Sequence, residues 1–452
     1  MIQAAPDRPA QTGLIRQLFA GLPAHTRATF VIRVAAVGLE FLCLLALARL
    51  LDAESYGAYA LAMTLVAIFA VPAAVGFDRL VVRELAAFQA IGDWPHARGL
   101  LRGSLIVVLA ASAIAAAATW ASGMLALGVA RTDASRELLL AAVLVPILAL
   151  ARLRQATLQG LGHVAAGLVP EYLLQPGLVI ALAVTFAFLA SVPRTASLGI
   201  GMQLAAAAAA LLVGAWMLRQ RLPAELRRVA PRYRAGSWWS AGLGFMALVL
   251  MTTVLTNVDT VLVGRLLGAA EAGTYRVATQ LAMLVGLPLT AVSVALAPAI
   301  AALHASGRKD ELRRQSRAAA RVIVIAAAGV ALAVAVAGPW ILGAFGPQFA
   351  PAYEPTLVLA TAYLLHSAMA TSGYLLIMSA HEKAVLAVFT AGAVLNVIGG
   401  LALIPRFGLH GAAASGAICL GLVSVSCAWL ARRKLGIDGT IFARLPGSST
   451  PA

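Results

Sequence analysis

Between residues 28 and 431 the chain alternates long apolar runs with short connections that carry most of its arginines. The stretch Ser104–Trp120, SLIVVLAASAIAAAATW, contains no charge and no period-two alternation. A strand of a membrane barrel alternates apolar and polar positions over about ten residues. A helix rising about 1.5 Å per residue needs about twenty apolar residues to cross the hydrocarbon. The pattern therefore predicts helices, twelve of them, at 28–48, 57–77, 103–130, 137–151, 166–190, 196–218, 238–263, 272–303, 322–345, 355–379, 384–404 and 410–431. The fourth continues past Arg152 and Arg154 toward the membrane surface, and the third and eighth are long enough to tilt or project beyond it. The fold class is an all-α polytopic membrane protein.

Composition removes the soluble alternatives. Of the 452 residues, 61% are hydrophobic and 12% charged, and mean hydropathy is +0.90. A soluble domain carries about a quarter charged residues, so too little polar surface exists here to coat a water-facing body. Only helices and closed barrels satisfy their backbones in lipid. The net charge of +16 is assigned to arginine-rich loops on one side of the membrane, not to nucleic-acid binding. On alternate loops, 26 of the 34 basic residues fall on one side and six on the other, with Arg33 and Arg276 inside spans. The positive-inside rule then places both termini in the cytoplasm.

An internal repeat organises the spans. Arg49-Leu50-Leu51 with Gly57-Ala58-Tyr59 recurs 216 residues later as Arg265-Leu266-Leu267 with Gly273-Thr274-Tyr275, and Pro72 recurs as Pro288. Six spans per copy, an even number, make two parallel lobes related by a pseudo-two-fold axis along the membrane normal. The expected division is a cytoplasmic N-terminal segment 1–27, a first lobe 28–218, a basic cytoplasmic linker 219–237, a second lobe 238–431 and a cytoplasmic tail 432–452. Ala46-Leu47-Ala48 is similar to a signal-peptide cleavage site, but the apolar run before it is too long for one and the repeat requires the first helix. Facing lobes of this kind enclose a central cavity that opens alternately to each side. The paired prolines remove backbone hydrogen bonds and permit bending there, unless they are simply the prolines that membrane helices commonly hold.

Ionisable groups inside spans are costly, about 2.5–3.5 kcal/mol each on insertion scales, and so mark candidate chemistry. Helix 1 carries Arg33 and Glu40 on one face but about 10 Å apart along the axis, too far for a direct pair. Helix 7 carries Thr252, Thr253, Thr256, Asn257, Asp259 and Thr260; helix 8 adds Arg276 and Gln280, helix 5 Glu171, and helix 11 Asn396. Under the repeat Glu40 maps onto Thr256, one turn from Asp259, so the two acids are expected at similar depth on facing helices. Arg33 and Arg276, with Asn257 and Gln280, are the candidate substrate-binding set, since guanidinium matches phosphate oxygens bidentately. The other reading makes each arginine a stitch, ion-paired with Glu40, Asp259 or Glu171. Those acids serve as coupling groups or as charge balance. Arg49 and Arg265, at helix ends, read as snorkelling anchors.

Other chemistries lack their residues. Lys309, Lys383 and Lys434 follow Arg308, Glu382 and Arg433, so no Gly-Lys step of a phosphate-binding loop exists. Cys43, Cys419 and Cys427 form no CxxC pair, and no two histidines have metal-ligand spacing. No catalytic residue, metal or cofactor is expected, and no loop on the arginine-poor side exceeds about ten residues, which leaves no platform for a glycan ligase.

Ala48-Arg49-Leu50-Leu51, Tyr56-Gly57-Ala58-Tyr59, Gly76-Phe77-Asp78-Arg79, Val82-Arg83-Glu84, Gly273-Thr274-Tyr275, Pro298-Ala299-Ile300 and Leu403 through Ala413 together resemble the oligosaccharide (Wzx-like) flippases. These belong to the multidrug/oligosaccharidyl-lipid/polysaccharide exporter superfamily. The resemblance covers essentially the whole chain. It implies a flippase, not an enzyme, that moves an undecaprenyl-diphosphate-linked oligosaccharide from the inner to the outer leaflet of a bacterial cytoplasmic (inner) membrane for polysaccharide export. It also implies a V-shaped cavity with a cationic lining into which Arg33 and Arg276 would fit. Partners would be the lipid-linked oligosaccharide, membrane lipids, and a polysaccharide polymerase with glycosyltransferases. The alternative within the superfamily is a cation-coupled drug exporter, which would prefer an acidic cavity. Gly76-Phe77-Asp78-Arg79 hints at a major-facilitator loop, but Leu80-Val81-Val82 stands where that family has Gly-Arg-Arg.

Overall fold

In lipid a backbone group has no water to bond, so each segment must pair its own N–H and C=O groups. The computed structural model describes residues 24–127, 132–189, 193–292, 308–369, 371–379 and 381–435, and among these it contains helices and no strand. In order they are α1 (Ala24–Leu50), α2 (Ala53–Ala74), α3 (Phe77–Ile91), α4 (Trp94–Leu127), α5 (Thr132–Gly160), α6 (Val164–Val169), α7 (Gln175–Phe188) and α8 (Ala196–Arg221). There follow α9 (Glu225–Arg228), α10 (Ala235–Leu266), α11 (Ala269–Met283), α12 (Lys309–Phe345), α13 (Tyr353–Met369), α14 (Thr371–Met378) and α15 (Glu382–Leu435).

Nine described helices are long and apolar enough to cross a membrane. One of them, α15, has 54 residues and folds back at Gly408 (φ 58, ψ −135), so it supplies two spans. The other two are α5 and the consecutive α13 and α14. Twelve rods result, as the hydrophobic pattern predicts. α5 runs to Gly160, past Arg152 and Arg154. α4 and α12 begin at Trp94 and Lys309, well before the apolar starts at 103 and 322. The expected N-terminal segment to residue 23, the tail from 436, the far end of the eighth span and the Pro298-Ala299-Ile300 motif lie outside the described residues.

The first bundle packs α5 against α4 and α8, α2 against α4, α5 and α8, and α1 against α7. The second packs α10 against α15, and α13 against α11, α12 and α15. α2 joins them, lying against both α10 and α11. The repeat explains how it can lie so close. Gly57 and Gly273, equivalent by the 216-residue offset, meet at the arginine-poor face. A Cβ on Gly57 would stand 1.8 Å from the Ala269 carbonyl oxygen, and one on Gly273 would stand 2.9 Å from the Gly57 Cα. Backbone touches backbone, as small residues allow between membrane helices.

At the opposite, arginine-rich face α2 ends differently from its repeat mate. Val75 (φ 51) and Gly76 (φ 70) turn the chain sharply into α3, an element missing from the sequence-based expectation. Its buried residues Phe77, Leu80, Val81, Leu85 and Phe88 recur at helical spacing, whereas Arg79 and Arg83 are exposed. At 15 residues it is too short to span, so it lies along the membrane surface with its apolar face on α4 and α5. In the mate, Pro288 cannot donate to the Leu284 carbonyl; the Leu287 N–H takes that place, tightening Leu284–Gly286 into a 3-10 turn.

Gly76 and Gly92 separate two effects. Both have a left-handed backbone, but a Cβ on Gly76 would lie 2.1 Å from the Gly242 carbonyl oxygen, whereas one on Gly92 would meet nothing within 4 Å. Gly92→Ala is expected to cost about 1–2 kcal/mol, the left-handed penalty alone. Gly76→Ala adds a backbone collision between bundles and should lower the melting temperature in detergent several degrees further; equal shifts for the two variants would refute this packing account.

Candidate functional site

A cavity of about 700 Å³ opens toward the arginine-rich face. Arg33 of α1, Val71 of α2 and Asp78, Arg79 and Val82 of α3 line it from one side. α5 contributes Arg152, Gln155 and Gln159, whose spacing of three and four residues puts them on one helical face. Glu171, Tyr172 and Gln175 come from the turn between α6 and α7. Phe245, Val249 and Thr253 of α10 close the wall from the second bundle. Three guanidiniums, two carboxylates and three side-chain amides therefore face one hollow.

That turn is a π-helical segment, Pro170–Leu174, in which the Gln175 N–H donates to the Pro170 carbonyl. Pro176 lacks an N–H, so the usual bond to the Tyr172 carbonyl cannot form and the ladder widens. π-bulges of this kind often sit at functional sites because they re-aim side chains. Here the bulge presents Tyr172 beneath Arg33, whose guanidinium carbon stands 6.0 Å from the ring centroid.

Glu171 does not serve Arg33 or Arg276. It is paired with Arg154 of α5, 5% exposed, whose Nη2 donates to Glu171 and, at 3.2 Å, to the Gly167 carbonyl. Gly214 of α8 makes the slot: a Cβ there would lie 2.4 Å from the Arg154 guanidinium carbon. The reading of Glu171 as a stitch for Arg33 or Arg276 is thus corrected: its partner is Arg154, on the continuation of the fourth span beyond its apolar run.

The remaining candidates lie elsewhere, and none lines this cavity. Asp259 is 7% exposed and accepts from the Tyr275 hydroxyl at 3.3 Å. Asn396 donates to the Leu255 carbonyl at 3.3 Å and accepts from the Ser415 hydroxyl at 3.0 Å. These groups all belong to the second bundle, so Asp259 is held within it; Glu40 is exposed on α1. Arg276 donates to Asn257 at 3.4 Å, and Gln280 is half-buried one turn along. Arg276 and Glu40 both lie within electrostatic reach of Tyr59. Among the described residues neither Arg33 nor Arg276 has a carboxylate within ion-pair distance.

The polar run of α10 is largely self-satisfied. Thr252, Thr253 and Thr256 donate to the carbonyls of Leu248, Val249 and Thr252, and Asn257 donates to Thr253. Such back-bonding lets hydroxyls sit in an apolar span. The three cysteines are free and buried, and no group of three metal-binding side chains occurs among the described residues.

The family model described as polysaccharide biosynthesis protein matches residues 24–304, and the one described as MatE matches residues 245–401. No curated protein sequence matches the chain. Among solved structures, the inward-facing conformation of a multidrug resistance MATE family transporter of the MOP superfamily has a TM-score of 0.72 at 15% identity, covering 90% of this chain and 98% of that one. An outward-facing conformation has a TM-score of 0.64 at 17% identity, covering 93% and 97%. A MOP superfamily transporter from Pyrococcus furiosus, described by the reverse polarity of its binding pocket, has a TM-score of 0.64 at 13% identity, covering 91% and 95%. At these identities the likeness is one of fold: twelve membrane helices in two lobes.

The Arg154–Glu171 pair can be tested as a unit. Removing one member of a buried pair leaves the other uncompensated, typically at about 3–5 kcal/mol, whereas replacing both with apolar residues is often close to neutral. Arg154→Met and Glu171→Leu should each lower the melting temperature strongly, and the double variant should recover most of the loss. Additive losses would exclude the pairing.

Proposed function

Because the chain belongs to the polysaccharide biosynthesis protein family, we propose that it is a flippase for lipid-diphosphate-linked oligosaccharide. It carries the polar head from the inner to the outer leaflet of a bacterial cytoplasmic membrane by alternating access, in the export of a polysaccharide. The arginine-rich face is then cytoplasmic, as are both termini, in keeping with the positive-inside rule.

The observation that carries this reading is the chemistry of the cavity lining. Arg33, Arg79 and Arg152 offer donors suited to phosphate oxygens. Of the two carboxylates, Glu171 is already neutralised by Arg154, which leaves Asp78 against three cations. Gln155, Gln159, Gln175 and Tyr172 supply both donors and acceptors, the complement a sugar's hydroxyls need. The volume of about 700 Å³ falls in the range of about 300–1,000 Å³ that holds a drug-sized ligand. That suffices for a diphosphate with its first sugars, while the lipid tail stays in the bilayer. Two negative charges moving outward across an inside-negative potential gain about 4.6 kcal/mol per 100 mV, so transport can be biased without nucleotide.

A second reading, a cation-coupled drug exporter, takes support from the MatE match over residues 245–401. A cationic drug would meet the excess of guanidinium over free carboxylate in the cavity, which disfavours it.

Reconstituted into liposomes with a fluorescent lipid-diphosphate oligosaccharide, the protein should render the label accessible to an outside quencher or glycosidase. An inside-negative potential should speed the movement. Arg33→Ala should slow it at least tenfold, since one charge-assisted contact is worth about 1.5–3 kcal/mol, with an unchanged melting temperature. Movement independent of the protein would remove the flippase reading; a normal rate in Arg33→Ala would remove the role of this side chain.

A further inference from the structure

Arg49 closes the last turn of α1, in the first bundle, yet its guanidinium serves the second. Its Nε donates to the Ala344 carbonyl and its Nη2 to the Gly343 carbonyl at 3.4 Å, both in the last turn of α12. The first of these residues along the chain, Gly343, has lost its ordinary donor. The Gly346 N–H bonds back to Leu342, and the residue that would bond Gly343 is Pro347, which has no N–H. A helix C-terminus also attracts positive charge. The arginine therefore supplies, from the other bundle, the donor that Pro347 withholds from Gly343, and a second to Ala344.

The same patch of the arginine-poor face holds two further contacts between bundles. Phe41 of α1 meets Phe345 edge-on at 5.4 Å, and Tyr56 of α2 meets Phe349 at 5.4 Å. Beside them lies the Gly57–Gly273 backbone contact. The repeat mate of Arg49 behaves otherwise: Arg265 is exposed and makes no hydrogen bond or ion pair among the described residues. The contact is thus not a general property of arginine at this depth.

We infer that Arg49 is the latch of the arginine-poor face, a positioning residue whose release from the Gly343 and Ala344 carbonyls lets the cavity open on that side. The inference rests on the alternating-access reading for its place in transport, but its geometry is independent of any substrate. Because the latch exists only in the closed arrangement, weakening it favours the open one.

The test uses the full chain in lipid nanodiscs, with the native cysteines replaced (C43A, C419A, C427A) and spin labels at Thr195→Cys and Phe407→Cys. These positions are exposed at the arginine-poor ends of α8 and of the two arms of α15. With no glycolipid present, electron–electron distance measurements should give one short population for the parent. Arg49→Ala should raise the ratio of long to short distances roughly tenfold, the scale of losing one charge-assisted hydrogen bond. Gly57→Ala, which wedges the neighbouring contact, should act in the same direction, and Arg265→Ala should leave the distribution alone. Should Arg49→Ala fail to fold, Arg49→Met, which keeps the apolar stem but has no donor, carries the same expectation. A folded Arg49 variant with the parent's distribution would overturn the latch, as would an equal shift from Arg265→Ala. Failure of glycolipid transport in liposomes, with the shift intact, would remove the flippase reading and leave the latch standing.

Discussion

The backbone contact between Gly57 and Gly273 is the constraint on which the arrangement of the two bundles depends. Membrane helices gain nothing by hiding apolar side chains from one another, since lipid is equally apolar; they associate by close packing and by interhelical hydrogen bonds. Two equivalent glycines, one from each repeat, let α2 lie against the start of α11 without side chains between them. With α2 fixed there and the turn after it fixed at Gly76 against Gly242, α2 is the main seam between the bundles, joined at the arginine-poor face by α1 against α12. The hollow is what remains between the bundles toward the arginine-rich face, away from these contacts.

The charged groups follow a division of labour that the cost of burial explains. Where a guanidinium is fully enclosed, as at Arg154, it has a carboxylate, a carbonyl and a glycine-made slot to itself. Where guanidiniums are held by no carboxylate, as at Arg33 and Arg276, they are exposed or half-buried and keep donors free. Arg49 stands between these cases, exposed but committed to two carbonyls of the other bundle. Among these guanidiniums burial and pairing rise together, because an unpaired ion in a low-dielectric interior is too expensive to persist.

The spans were readable because twenty-residue apolar runs have one physical meaning. The element α3 is not, because its apolar residues at every third or fourth place never form a run of that length. Its signal was present in the spacing of Phe77, Leu80, Val81, Leu85 and Phe88. Arg33, Glu171 and the face of α5 are partly legible: the acid stands out, but its partner Arg154 lies beyond the apolar run, where an arginine reads as interfacial. The sequence carried a cue in Pro170 and Pro176, six residues apart around the acid, a spacing that distorts the helical ladder. Asp259, which the repeat places at the depth of Glu40 on a facing helix, accepts from Tyr275 of its own bundle. Periodicity gives the depth of a residue but not the azimuth of its helix, which neighbouring helices decide.

The threonine ladder on α10 has a consequence for motion. Thr252, Thr253 and Thr256 spend their protons on carbonyls one turn back along their own rod, so their bonds travel with it. Such a wall carries its solvation as internal cargo. It can slide from a wet exposure to a dry one with its inventory of donors already spoken for, and the journey adds no unbonded proton to the barrier.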